Sequence, residues 1–306
     1  MSRPWKSLTL VAATAVIIVW GGNLQAAEPL KVLATFSILG DMVKQVGGDA
    51  VQVTTLVAPG GDAHTYQPAP TDAKAIANAN LVVVNGLHME GWLDRLINAS
   101  GTKAPIIVVS NGIDAQSMKE PEGGAGEAKA VIDPHAWQNL ANGEVYVHNI
   151  ADALASADPA NAASYRTRAE SYRRELKDLD GWVRQQIGLV PAAKRKIITS
   201  HDAFGYFAKA YGITFLAPVG LSTESEPTAA GMGKLINQIK KYHIKALFIE
   251  NMTDPRLIEM LAKEADAAVG GTVYSDSLSA VGGPADTYVK MFQHNVPAMV
   301  AAMQKN

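Results

Sequence analysis

The stretch DPANAASYRTRAESYRRELKDLDGWVRQQIGLVP, residues 158–191, decides how the rest of the chain is read. Its apolar residues Tyr165, Ala169, Tyr172, Leu176, Leu179, Val183 and Ile187 recur in steps of four and three, which places them on one stripe of a helix. Asp158 is positioned to cap the first amides, Pro159 suits the first turn, and Gly188 with Pro191 closes the segment. Gly181 is a weak point inside it. Such a helix is roughly 40 Å long, enough to run the length of a medium-sized two-lobed protein. The stretch therefore reads as a spine with half a protein on either side.

Both halves alternate short β-branched runs with helical ones. Before the spine the strands are expected at 32–36, 51–57, 81–85 and 106–109, with helices near 38–46, 72–79 and 92–99 between them. After it come strands at 196–199, 213–216, 246–249 and 272–274, helices at 203–211, 229–242 and 255–265, and a last helix after Asp286. This grammar predicts an α/β fold of two parallel-sheet lobes joined by one long helix. The expected divisions are an N-terminal lobe over 28–157, the linking helix over 158–191 and a C-terminal lobe over 192–306. Residues 114–130, polar and rich in Gly, Glu and Lys, read as an exposed loop without histidine.

Of the 306 residues 48% are hydrophobic and 18% charged, and a net charge of -2 from 27 basic and 29 acidic residues gives no nucleic-acid surface. Residues 1–27 have the form of a cleavable signal peptide: Arg3 and Lys6, an apolar run from Leu8 to Trp20, and a small-residue exit at Ala26-Ala27. The expectation is export to the periplasm. With no cysteine in the chain, disulfides and thiolate metal sites are excluded, and so is a lipid anchor on a cysteine at the cleavage point. Any metal must be held by nitrogen and oxygen.

Four motifs surround the spine: Pro59-Gly60-Gly61-Asp62-Ala63-His64-Thr65-Tyr66-Gln67-Pro68, Asp133-Pro134-His135-Ala136-Trp137, Thr199-Ser200-His201-Asp202-Ala203-Phe204-Gly205, and Tyr274-Ser275-Asp276-Ser277-Leu278. His64, His201 and Asp276 each follow an expected strand, where ligands collect in open α/β sheets. Taken singly, each histidine is more often a surface or hydrogen-bonding residue than a ligand.

As an ordered set, with Glu226-Pro227 and Phe248-Ile249-Glu250-Asn251, the motifs closely resemble the TroA-like zinc- and manganese-binding solute receptors of bacterial ABC importers. The resemblance covers nearly all of the mature chain. It implies two lobes joined by a long helix, with the metal in the cleft: His64 and His135 as first-lobe ligands, His201 and Asp276 as second-lobe ligands. The cargo it implies is zinc, with manganese the alternative, delivered to an inner-membrane ABC permease. It leaves room for a periplasmic metallochaperone and implies a monomer that is not an enzyme.

Three imidazoles and one carboxylate suit a divalent cation of borderline softness. Several manganese receptors of the family carry glutamate where this chain has His201, which tilts the expectation toward zinc. The loop after Asp114 departs from the long histidine-rich loop of many zinc members, and Gln138-Asn139-Leu140 replaces the usual Leu-Asp-Pro; altered loop packing is expected there. Asp202 is a candidate to orient His201, and His88 beside Glu90 a minor second site. His148, His243 and His294 read as helical surface residues. The rival from another class, a zinc hydrolase, lacks a His-Glu-x-x-His helix and a Gly-x-Ser-x-Gly elbow, and four protein ligands leave substrate no vacancy.

Overall fold

The computed structural model describes residues 28–120 and 129–306; the expected signal peptide, 1–27, lies outside them. The first lobe runs β1 (Leu30–Phe36), α1 (Ser37–Gly47), β2 (Val51–Val57), α2 (Pro70–Ala77), β3 (Leu81–Val84), α3 (Leu93–Ser100) and β4 (Ile106–Val108). Its strands form a parallel sheet in the order β2-β1-β3-β4. The four residues of β3 are all buried, as expected of a central parallel strand covered by helices on both faces.

The stretch read as an exposed loop contains a small antiparallel ribbon, β5 (Ser117–Glu120) against β6 (Lys129–Ile132); residues 121–128 between them lie outside the described residues. Ser-Met-Lys-Glu lacks the apolar alternation that marks a half-buried strand, so composition hid the pairing. The ribbon leads into the His135 motif and then α4 (Leu140–Ala157), whose cap is Asn139 accepting from the Ala141 amide at 3.0 Å.

The spine is α5 (Ala162–Gly188), 27 residues and roughly 40 Å long. The seven stripe residues are the ones it buries. Its entrance differs from the expectation: Pro159–Asn161 is a 3-10 turn, and Asp158 accepts from the Asn161 side chain and the Tyr165 hydroxyl, both at 2.7 Å, across that turn.

The second lobe comprises β7 (Lys196–Ile198), α6 (Gly205–Tyr211), β8 (Thr214–Leu216), α7 (Ala229–Tyr242), β9 (Leu247–Glu250), α8 (Arg256–Glu264), β10 (Val269–Val273) and α9 (Tyr288–Met303). Its parallel sheet has the order β10-β9-β7-β8. In each lobe, therefore, the second strand is at one edge, followed by the first, third and fourth.

The core does not divide where the lobes do. One cluster joins Phe36, Trp137 and the spine stripe to Phe207, Phe292 and Met299 of the second lobe. A separate one, including Ile198, Leu235, Leu247 and Leu261, lies under α7 and α8. Helix α9 also reaches back: the Tyr288 amide donates to Asp41 Oδ2 at 2.8 Å and its hydroxyl donates to the Trp137 carbonyl. Gly143 makes room for that ring, since a Cβ there would sit 2.7 Å from the Tyr288 oxygen. The spine and α9 together fix the cleft, so lobe motion is expected to be small.

Candidate metal centre

The four candidate residues converge. One donor atom from each of His64, His135, His201 and Asp276 lies within 4.8 Å of all the others, and all four residues are buried. Asp276 Oδ2 is 3.1 Å from His201 Nε2, 3.4 Å from His64 Nε2 and 3.6 Å from His135 Nε2, while His64 Nε2 and His135 Nε2 are 3.1 Å apart. Nitrogens this close around one carboxylate leave a space sized for a single ion. The chemistry of the donors agrees: both Asp276 oxygens and both ring nitrogens of His201 have no hydrogen bond of proper geometry among the described residues. A buried carboxylate so placed costs free energy unless a cation joins it.

Each donor is set by local backbone. His201 and Asp276 stand three residues beyond the ends of β7 and β10, the positions to which a parallel sheet directs its ligands. His64 is on a loop after β2, where its amide donates to Asp62 Oδ1 at 2.8 Å and Trp92 Nε1 donates to the Ala63 carbonyl at 2.8 Å. His135 follows the ribbon, with its amide donating to Asp133 Oδ1 at 2.9 Å and Asn85 holding the Pro134 carbonyl at 3.0 Å.

Two carboxylates behind the imidazoles complete the arrangement, and sequence reasoning assigned neither to that role. Asp133 Oδ1 lies 2.8 Å from His135 Nδ1, and Glu250 Oε2 lies 2.8 Å from His201 Nδ1. Glu250 also accepts from the His201 amide at 2.9 Å and from the Ser275 hydroxyl, so one buried side chain spans the roots of both second-lobe donors. The hydrogen bond to Asp133 fixes the tautomer of His135, and Glu250 holds a negative charge against Nδ1 of His201, so that Nε2 of each ring faces the centre of the cluster. Asp133 was visible two residues before His135; Glu250 is 49 residues from His201, and no spacing rule connects them. Asp202, the sequence candidate for this task, instead donates its amide to the Gly220 carbonyl at 3.1 Å, and burial pushes its carboxyl up to about 6.

The electrostatics are those of a site poised for a cation. Burial opposes charge on His135, but Asp276 and Asp133 outweigh it and carry the imidazole up to about 9. Burial likewise opposes charge on His201, and Glu250 with Asp276 raises it well above the usual histidine value. Burial would raise Asp276; the two imidazoles hold it well below the carboxylate range instead. Without metal, protons therefore carry the positive charge that the carboxylates require.

The halves are joined around the site. Trp137 Nε1 and Gln138 Nε2 donate to the Ser275 carbonyl at 2.9 and 2.8 Å, so Gln138, the first of the altered residues, joins Trp137 in securing the Asp276 loop. The Gly60 amide donates to Ser277 Oγ at 2.7 Å, and the Leu278 amide to Ser37 Oγ at 3.0 Å. The remaining histidines lie elsewhere. His88 is exposed, whereas neighbouring Glu90 turns inward; His148 is within α4 beside Asp152; His243 is the left-handed cap of α7 rather than part of it; and His294 contacts the Thr272 carbonyl.

Comparison with known proteins agrees with this architecture. The family model of the periplasmic zinc-uptake complex component A matches residues 32–302. The manganese-binding lipoprotein MntA of Halalkalibacterium halodurans is 32% identical over 93% of this chain and 92% of its own. The iron ABC transporter substrate-binding lipoprotein MtsA of Streptococcus pyogenes is 34% identical over 93% and 92%. Among solved structures, the manganese-bound periplasmic metal-binding protein from Candidatus Liberibacter asiaticus superposes with a TM-score of 0.77 at 33% identity, covering 90% of this chain and 99% of that one. Two of these relatives are lipoproteins, which overturns the expectation of a protein released free into the periplasm after cleavage of its signal peptide. The absence of cysteine from the chain stands as a fact of its sequence, and it does not establish free release.

Proposed function

The chain belongs to the family of periplasmic zinc-uptake component A, the TroA-like metal receptors with a long linking helix, and from that premise we propose that His64, His135, His201 and Asp276 ligate one manganese ion as its cargo. The family is one of extracytoplasmic solute-binding proteins that bind a divalent transition metal and deliver it to an inner-membrane ABC importer. Its members are non-catalytic receptors, which sets the hydrolase aside. The convergence of four buried donors within 4.8 Å supports the ligand assignment. Both halves of the set come from one chain, in keeping with a monomeric receptor; a metallochaperone as loading partner rests on the family resemblance alone.

Manganese takes precedence because one relative is manganese-binding and one similar structure is manganese-bound. This reverses the order expected from the donors. Zinc is the second reading, favoured by three imidazole nitrogens against one carboxylate and by the higher place of zinc in the divalent affinity series. Competition titration of metal-stripped protein, repeated with His201→Glu, tests both. Stoichiometric uptake of manganese by the wild type, strengthened relative to zinc by the substitution, supports manganese; uptake of zinc alone installs the second reading. Binding of neither ion overturns the ligand assignment.

A further inference from the structure

From residue 217 to 228, between β8 and α7, the chain forms neither helix nor extended strand. Near its start this strap is fixed to its own lobe: Val219 makes a β-bridge with His201, and the Gly220 carbonyl accepts the Asp202 amide. Further on it reaches the other lobe, where the Thr223 hydroxyl donates to Asp62 Oδ2 at 2.6 Å. The other oxygen of that carboxylate accepts the His64 amide at 2.8 Å and the Thr65 amide at 3.4 Å. Asp62 thus holds the backbone of one candidate ligand with one oxygen and the opposite lobe with the other.

Two cavities flank the strap. One, of about 250 Å³, is lined by His64, Pro134, Leu221, Ser222 and Glu224. The other, of about 240 Å³, is lined by Asp62, His201, Val219, Thr223 and Met252. Successive strap residues line one cavity or the other, so the strap forms the partition between them. Each cavity reaches one imidazole of the cluster.

We propose that Asp62 is a positioning residue for metal retention, latched to Thr223 so that the strap stays across the cleft and His64 stays against the ion. The proposal rests on the reading of His64 as a ligand. An ion arrives while the strap is lifted and leaves only after it lifts again. Loss of the latch therefore speeds dissociation and leaves association no slower. A hydroxyl bonded to a carboxylate is among the stronger hydrogen bonds, and removing it is expected to speed release by about tenfold.

The test uses full-length protein loaded with manganese, or with zinc where the competition titration installs the second reading, with release into excess chelator and uptake followed by stopped flow. Thr223→Val is expected to release the ion about tenfold faster with uptake no slower, and Thr223→Ser, which keeps the hydroxyl, to match the wild type. In an Asp62→Ala background, Thr223→Val should add nothing. An unchanged release rate in Thr223→Val, equal acceleration in Thr223→Ser, or a full additional effect in the Asp62→Ala background overturns the latch. Failure of the wild type to bind zinc or manganese overturns the ligand reading itself, a distinguishable result. Thermal denaturation of the metal-free variants separates altered release from unfolding; if Asp62→Ala does not fold, the valine and serine pair decides alone.

Discussion

Each lobe places one buried glutamate at the ends of its central strands, and the two do different work. Glu90 accepts from the Thr35 hydroxyl at 2.6 Å and from the Asn85 and Gly86 amides at 2.7 and 3.2 Å, joining the ends of β1 and β3 without touching a candidate ligand. Glu250, at the end of β9, meets His201 and Ser275. The same strand order thus yields a first lobe whose donors are displaced onto loops and a second lobe whose donors stand at strand ends. The second lobe carries its donors just beyond its strand ends, and the first holds its own through loop contacts at Asp62, Trp92, Asp133 and Asn85.

The comparison breaks most directly at Asp276, the carboxylate on which the imidazoles of both lobes converge. Structural zinc sites bind with about 10–16 kcal/mol, roughly 3 kcal/mol per donor when divided among four, so Asp276→Ala should cost more than about a hundredfold in zinc affinity. Chelator competition measures it; a loss below about tenfold would place the ion elsewhere.

The glutamates provide the next test. Glu250→Gln should weaken metal binding by about tenfold to a hundredfold, the usual effect of losing a carboxylate behind a ligand. Glu90→Gln should leave affinity unchanged and cost about 1–3 kcal/mol of folding stability, because an amide nitrogen cannot accept from the backbone amides it would face. Equal affinity losses in both variants would dissolve the distinction between the lobes. Neither role could be read from sequence: Glu90 adjoins a histidine that it does not serve, and Glu250 reaches His201 only through the pairing of β7 with β9. The four motifs that converge and the spine were legible because they rest on local words and on period. The braces and the ribbon were not, because they depend on contacts between distant segments.

Titration sharpens the comparison further, since His135 belongs to the first lobe and Asp276 to the second. A histidine raised on folding contributes stability that is full below its unfolded value near 6.5 and disappears as pH rises through its folded value, here about 9 for His135. His201 acts in the same direction, and Asp276, held low, stays ionised throughout this range. The melting temperature of chelated protein should therefore fall between pH 7 and 10. Metal binding must displace these protons, so affinity should already decline below about pH 9, higher than the value near 6.5 expected for an ordinary histidine. Melting curves and titrations across that range check both; a flat metal-free profile would mean that protons do not bridge the lobes.

The smallest effect asks whether the spine takes part in the site or only carries it. Gly181 is exposed within α5, and a Cβ built there meets nothing within 4 Å. Glycine in a helix interior costs about 0.5–1 kcal/mol relative to alanine through the entropy it loses on folding. Gly181→Ala should therefore stabilise the protein by that amount and raise its melting temperature by about 1–4 °C at this size. The substitution stiffens the spine without altering any contact of either lobe, so metal affinity and release rate should remain those of the wild type. Slower release would mean that bending of the spine belongs to the opening motion; a lower melting temperature would mean that the helix requires its glycine.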